Sequence, residues 1–136
     1  MAVELSWLVE NKVMYMYGHG INTMDDLRQL DSAAVKFIEQ SPEPLVHGII
    51  DLRHLEKTPS LFEQRDVWHY PQHSHSGWQI YVGSNDPVQR VMMYLISQLT
   101  KARYRQFATI EEGLAFLQDI DPTLPDLKQF KERVPA

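Results

Sequence analysis

The chain has 136 residues, of which 43% are hydrophobic and 23% are charged, as in an ordinary globular domain. It contains no cysteine, which excludes disulfides, thiolate nucleophiles and cysteine-ligated zinc. The net charge of −5 argues against a nucleic-acid partner, which would require a basic face.

The N-terminal half of the chain predicts a β-hairpin, a helix and a buried strand. Residues 3–9 and 13–17 are β-prone runs joined by a short polar turn, as in a hairpin. Thr23 precedes two aspartates and an apolar stripe of helical spacing, so it is the predicted N-cap of a helix that ends at the prolines of 41–44. Residues 45–50 are nearly all apolar, which indicates a strand covered on both faces.

The C-terminal half alternates predicted helices and strands. A short helix follows Pro59, a buried strand spans 78–82, and Asp86 followed by proline is a typical helix start. A last strand at 103–108 leads into a capping box and a further helix that begins at Thr109. Within the helix after Asp86, the predicted buried stripe consists of Val88, Val91, Met92, Leu95, Ile96 and Leu99.

This order, β-β-α-β-α-β-α-β-α, predicts an α/β fold with a mixed β-sheet covered by helices. We interpret residues 1–136 as one domain with a core of about 3–120. The C-terminal extension, 121–136, has the pattern of a short docked helix. No apolar run approaches the ~20 residues of a membrane helix, and no signal peptide is visible. We therefore expect a soluble, cytoplasmic protein without a membrane span.

Three segments resemble STAS-like domains, which are typified by anti-sigma-factor antagonists. Residues 44–53 (Pro-Leu-Val-His-Gly-Ile-Ile-Asp-Leu-Arg) are similar to their central strand, which often ends in an Asp-Leu pair. Residues 78–84 and 103–117 are similar to a later strand and to the strand that opens the last helix. The resemblance covers roughly residues 3–120. It implies a STAS-like fold and a non-enzymatic binding or regulatory module.

Phosphorylated STAS-like switches carry an Asp-Ser-Ser-Gly-like motif shortly after the Asp-Leu pair. Here that place reads Lys-Thr-Pro-Ser-Leu-Phe at 57–62, and Ser60 lacks both the preceding aspartate and the following glycine. Two interpretations of Ser60 stay open, a regulatory phosphosite and the N-cap of a short helix.

Neither a catalytic nor a metal-binding motif is complete. His69, His73 and His75 are candidate metal ligands, but Pro71 and Gly77 place them in a loop and favour a polar loop that is rich in histidine. Ser84 lacks the second glycine of a nucleophile elbow. We expect no catalytic residue, no metal and no cofactor. A small hydrolase that uses Ser60 or Ser84 with a loop histidine is the least favoured alternative.

The carboxyl ends of the predicted strands indicate where a ligand would bind. In open α/β sheets, ligands lie beyond these ends, although solvated loop ends have the same composition. The candidate ligand-binding residues are Asp51, Arg53, His54, Thr58, Ser60, Ser84 and Asn85.

Met93 and Tyr94 lie off the predicted buried stripe of their helix. A helix that is apolar around much of its girth is either buried or in contact with another chain. Met93 and Tyr94 are therefore candidate interface residues, in a homodimer or against an unknown protein partner. The sequence predicts a STAS-like module that binds such a partner, with binding or sensing of a small apolar ligand or lipid as the alternative.

Overall fold

The computed structural model describes residues 3–60, 62–83, 86–100 and 102–135, apart from the side chains at positions 89, 92, 96, 99 and 100. The strands are β1 (Val3–Val9), β2 (Val13–Ile21), β3 (Val46–Lys57), β4 (Ser76–Val82) and β5 (Arg103–Phe107). The helices are α1 (Met24–Gln40), α2 (Pro87–Thr100) and α3 (Ile110–Ile120). Short 3-10 helices span Glu63–Asp66, Tyr70–Gln72 and Leu127–Arg133.

The five strands form one mixed sheet in the order β1-β2-β3-β4-β5. β1 pairs antiparallel with β2, and each of the other neighbouring pairs is parallel. The hairpin between β1 and β2 closes through Asn11, whose positive φ of 66° asparagine tolerates better than most residues. The predicted α/β class and mixed sheet are confirmed.

Helix α1 begins where its side chains cap it. The Thr23 hydroxyl accepts a hydrogen bond from the Asp26 N–H at 3.1 Å, and the Asp26 carboxylate accepts one from the Thr23 N–H at 2.9 Å. These two bonds satisfy donors that have no partner inside the helix. The predicted N-cap is confirmed, and the capped helix buries Leu27, Leu30 and Ile38 against the sheet.

Helices cover both faces of the sheet. On one face, α1 packs against Met14, Met16 and Val46. On the other face, α3 and the C-terminal 3-10 helix pack against a cluster that includes Ile49 and Ile80. Because side chains alternate along a strand, neighbouring residues of β3 belong to opposite faces. The two faces therefore have separate cores.

Helix α2 lies on the α1 side of the sheet, with a different orientation from the predicted one. Val88 and Val91 are 70% and 59% exposed, whereas Met93 is only 6% exposed. The predicted buried stripe is wrong for Val88, Val91 and Leu95, which face solvent. The side chains of its other members, Met92, Ile96 and Leu99, lie outside the described part of the structure. Met93 is corrected from an interface residue to a buried one. Two apolar stripes share this helix, and their spacing alone does not indicate which one meets the sheet.

The C-terminal segment is docked on the body of the domain. Leu124 and Leu127 are buried in the same core cluster as α3. Arg133 Nη1 donates a hydrogen bond to the Leu8 carbonyl oxygen at 3.1 Å, and Lys131 pairs with Glu111. In the described part of the chain, no helix has both the length and the hydrophobicity to cross a membrane.

Candidate functional site: a cavity between the sheet and helices α1 and α2

A cavity of about 100 Å³ lies between the sheet and the helices α1 and α2. Strands β2 and β3 supply part of its floor, and both helices contribute to its walls. Among the described residues that line it, none carries a formal charge. Its apolar lining includes Met16, Leu27, Leu30, Ile50, Leu55 and Met93.

Three polar side-chain atoms at this cavity have no hydrogen-bond partner among the described protein atoms. They are Asn22 Oδ1, Gln79 Oε1 and the Tyr104 hydroxyl oxygen. Gln79 is 1% exposed and Asn22 is 7% exposed, so neither amide is solvated in the ordinary way. An unpaired buried polar atom costs roughly 1–3 kcal/mol. Since native folds pair most such atoms, this concentration of unpaired atoms makes the cavity a candidate binding site.

The orientation of the Gln79 amide follows from its other contacts. Its Nε2 donates to the Ser76 hydroxyl at 3.1 Å and to the Gly77 carbonyl oxygen at 3.3 Å. The Gly77 carbonyl can only accept, so the nitrogen must lie on that side. Gln79 Oε1 is therefore an acceptor without a donor among the described residues.

Tyrosine hydroxyls at the cavity stay protonated at neutral pH. Burial raises the pKa of Tyr104 to about 12. Burial also raises the pKa of Tyr81, and the neighbouring Tyr104 adds to that increase. The two rings lie 5.3 Å apart between centroids. This end of the cavity is neutral as well as buried.

The predicted ligand-binding residues do not converge on this cavity. Thr58 lines it. Asp51 lies on the opposite face, where it accepts hydrogen bonds from the Tyr15 hydroxyl and from Arg53 Nε and Nη2. Arg53 Nη2 also donates to the Pro135 carbonyl oxygen at 2.6 Å. His54 is exposed, and its Nδ1 lies 2.6 Å from the Tyr17 hydroxyl. The described residues of the predicted set therefore divide between the two faces.

Ser60 was predicted to be either a regulatory phosphosite or the N-cap of a short helix. Its hydroxyl accepts a hydrogen bond from the Glu63 N–H at 3.1 Å, and its own N–H donates to the Glu63 carboxylate at 3.3 Å. This is the reciprocal pattern of a capping box, formed just before the 3-10 helix Glu63–Asp66, whose N-cap residue is Phe62. Ser60 is nevertheless exposed, and its phosphorylation stays a prediction. Ser84 and Asn85, predicted as ligand-binding residues, lie outside the described residues.

The three loop histidines that were weighed as metal ligands have other hydrogen-bond partners. His69 Nδ1 lies 3.0 Å from the buried carboxylate of Asp31, which also accepts hydrogen bonds from the His69 and Tyr70 N–H groups. His73 Nδ1 accepts a hydrogen bond from the His75 N–H at 3.1 Å. The described part of the chain contains no group of three or more potential metal-ligating side chains.

A second cleft, of about 310 Å³, lies at the opposite end of the sheet beside His47 and Asp121. His47 Nδ1 accepts a hydrogen bond from the Trp78 N–H, so its Nε2 carries the proton donated to Asp121. Burial alone would raise the pKa of Asp121, but hydrogen bonds from Thr123 and His47 lower it below the ordinary value. These groups satisfy one another, and we interpret the pair as a structural anchor.

Comparison of the sequence with models of known families and with curated proteins finds no match. Comparison of the structure with solved structures does find matches. A crystal structure of an uncharacterised DUF3478-family protein from Shewanella loihica PV-4, with a SpoIIAA-like fold, has a TM-score of 0.59 to this chain. The match covers 85% of this chain and 92% of that one.

The fold is SpoIIAA-like. The predicted STAS-like architecture is therefore confirmed. At 13% identity, this likeness to the Shewanella protein shows the SpoIIAA-like fold and carries no functional residue across.

Asn22, Gln79 and Tyr104, which belong to the candidate site, are not among the residues that the sequence predicts to bind a ligand. Gln79 was the detectable signal, because an amide inside the otherwise apolar strand at 78–82 requires partners. Tyr104 alternates with two arginines, a pattern that is typical of a strand with a solvated face. Asn22 directly precedes the N-cap Thr23, and nothing in the sequence distinguishes it from an ordinary loop residue.

Proposed function

We propose that the chain is a non-enzymatic binding module that holds a small, neutral, mainly apolar molecule in the cavity beneath α1 and α2. The observation that carries this proposal is the uncharged cavity with three unpaired polar atoms. Ligand sites are commonly apolar with a few converging polar groups, which is the composition found here. The described lining offers no charged or imidazole group that would serve as a general base.

The size of the cavity favours a short molecule over a lipid. An apolar cavity of about 150 Å³ in another protein accommodates benzene, so about 100 Å³ suits a molecule of roughly four to six non-hydrogen atoms. A long acyl chain would need several times that space. Small-molecule sensing is thus favoured over lipid carriage.

Gly18 provides a matched pair of variants that test this proposal. A Cβ at Gly18 would meet its nearest neighbours, Asn22 and Leu55, at ordinary distances of 3.6 and 3.7 Å. We therefore expect Gly18→Ala to bind like wild type, and Gly18→Leu to weaken binding at least about tenfold by filling the cavity. A panel of small neutral organic molecules, titrated with ligand-observed NMR, checks this.

Thermal unfolding accompanies the Gly18 titrations. Ligand at ten times its Kd should stabilise wild type by about 1.4 kcal/mol. Without ligand, the unfolding temperature of Gly18→Leu should lie within a few degrees of that of Gly18→Ala. This result would show that both variants are folded. Equal binding by the two variants, or no saturable binding by wild type, would refute the cavity as the binding site.

A second candidate function is protein binding through the exposed side of α2. Val88, Val91, Tyr94 and Leu95 form an exposed apolar surface on this one helix. Such a surface is typical of a contact with another chain.

Self-association is the simplest kind of protein binding to test. Light scattering after size exclusion should give a dimer mass at high concentration, and Val91→Lys should restore the monomer. A monomer at every concentration would remove self-association.

A further inference from the structure

We infer that Gln79 and Tyr104 together recognise a hydroxyl group, so that the ligand of the cavity is a short uncharged alcohol. This inference rests on the proposed function and adds the chemical class of the ligand. It begins with position: Gln79 and Tyr104 are register partners on the adjacent parallel strands β4 and β5. Neighbouring strands lie about 4.8 Å apart, and partnered side chains share a face of the sheet.

The two groups have complementary hydrogen-bonding capacity. Gln79 Oε1 can only accept, because its amide nitrogen is committed to Ser76 and Gly77. The Tyr104 hydroxyl can both donate and accept. An alcohol that donates its O–H to Gln79 and accepts the O–H of Tyr104 would satisfy both orphaned atoms with one oxygen.

Charged relatives of an alcohol fit poorly. A carboxylate can accept from Tyr104 but has no hydrogen to donate to Gln79. A carboxylate or an ammonium would also enter a cavity whose described lining has no countercharge, and burying an unpaired ion is strongly unfavourable. The pKa of about 12 for Tyr104 keeps that hydroxyl neutral, so it does not supply a countercharge.

Asn22 does not share this hydroxyl. It follows the C-terminal end of β2, whereas Gln79, the middle residue of β4, is level through Gly48 with Met14 near the start of β2. Because these strands run parallel within one sheet, the two amides mark opposite ends of the cavity. The hydroxyl therefore lies at the Gln79 and Tyr104 end, and the alkyl part extends along Ile50 and Met93.

Three matched ligands test the inference by NMR titration: 1-butanol, 1-chlorobutane and butyrate. Chlorine resembles the hydroxyl in size but donates no hydrogen bond, and butyrate introduces a charge. We expect wild type to bind 1-butanol about tenfold more tightly than 1-chlorobutane, the effect of satisfying these hydrogen bonds, with no detectable binding of butyrate.

Tyr104→Phe should weaken the binding of 1-butanol about three- to tenfold and leave the binding of 1-chlorobutane unchanged, because only the hydroxyl is removed. Gln79→Met should make the two affinities equal. Tyr17→Phe removes a hydroxyl that contacts His54 outside the cavity, and should change neither affinity. Since Tyr104→Phe is a minimal change, it remains informative if Gln79→Met fails to fold.

The outcomes separate the two proposals. Equal binding of 1-butanol and 1-chlorobutane by wild type, or an unchanged alcohol preference in Tyr104→Phe, would overturn recognition of a hydroxyl while leaving the cavity as a binding site. No saturable binding of either ligand would overturn both, and would mean that water alone satisfies the orphaned atoms.

Discussion

Replacing Asp51 with alanine is expected to destabilise the protein by about 3–5 kcal/mol, because it breaks a buried ion pair by removing one partner. Asp51 is fully buried and pairs with Arg53, whose side chain is about three-quarters buried. The variant leaves that guanidinium and the Tyr15 hydroxyl without their carboxylate. Urea denaturation at pH 7 measures the change.

The control for Asp51→Ala is Asp66→Ala. Asp66 is exposed, and its pairing with Arg65 at 3.6 Å is a surface contact. Its removal should change the free energy of unfolding by less than about 0.5 kcal/mol. A loss below about 1 kcal/mol for Asp51→Ala would show that the buried network does not stabilise the fold.

The contribution of Asp51 should depend on pH in a defined direction. Burial alone would raise the pKa of Asp51, but hydrogen bonds from Arg53 and Tyr15 lower it below its ordinary value. Stability from a lowered carboxyl pKa is complete above the unfolded pKa of about 3.9 and is lost as pH falls through the folded pKa. The difference between wild type and Asp51→Ala should therefore be constant from pH 7 to about 5 and narrow below about 4. A difference that widens on acidification would contradict this assignment.

Gly77→Ala should be the second strongly destabilising change, at about 3 kcal/mol, because the core around it has no room. A Cβ at Gly77 would lie 2.3 Å from His47 Nδ1. The imidazole cannot withdraw, since the Trp78 N–H and the Asp121 carboxylate hold its two nitrogens at 2.9 Å each. The free energy of unfolding in urea checks the magnitude.

A double-mutant cycle identifies the cause of that loss. In a His47→Ala background the ring is absent, and Gly77→Ala should then cost less than about 1 kcal/mol. Ser74→Ala, in the exposed part of the preceding loop, should be nearly neutral and serves as the control. An undiminished cost in the His47→Ala background would place the clash elsewhere.

Local chemistry made most of the fold predictable. The turn through Asn11, the cap at Thr23 and the strand at 45–50 each depend on residues close in sequence, and the structure contains all three. The face that α2 turns to the sheet depends on tertiary packing instead. Met93 meets the sheet side while Val91 faces solvent, and either stripe satisfies the helical period.

The candidate site was less predictable. The sequence predicts a ligand beyond the carboxyl ends of the strands, whereas the cavity lies between the sheet and the helices α1 and α2. The alternation of β3 places Asp51 on the face of Tyr15, while Ile50 lines the cavity on the other face. Whether a buried amide lacks a partner depends on the distances between strands and helices. Gln79 could be recognised in sequence as unusual, but its unpaired oxygen required the structure.

The most direct test of the cavity as a binding site uses methionine methyl groups labelled with ¹³C. Met16 and Met93 line the cavity, whereas Met14 is buried on the same face of the sheet outside it. Titration with 1-butanol should produce saturable shifts at Met16 and Met93 and none at Met14. Unchanged Met16 and Met93 signals, or equal shifts at all three methyl groups, would contradict binding in the cavity.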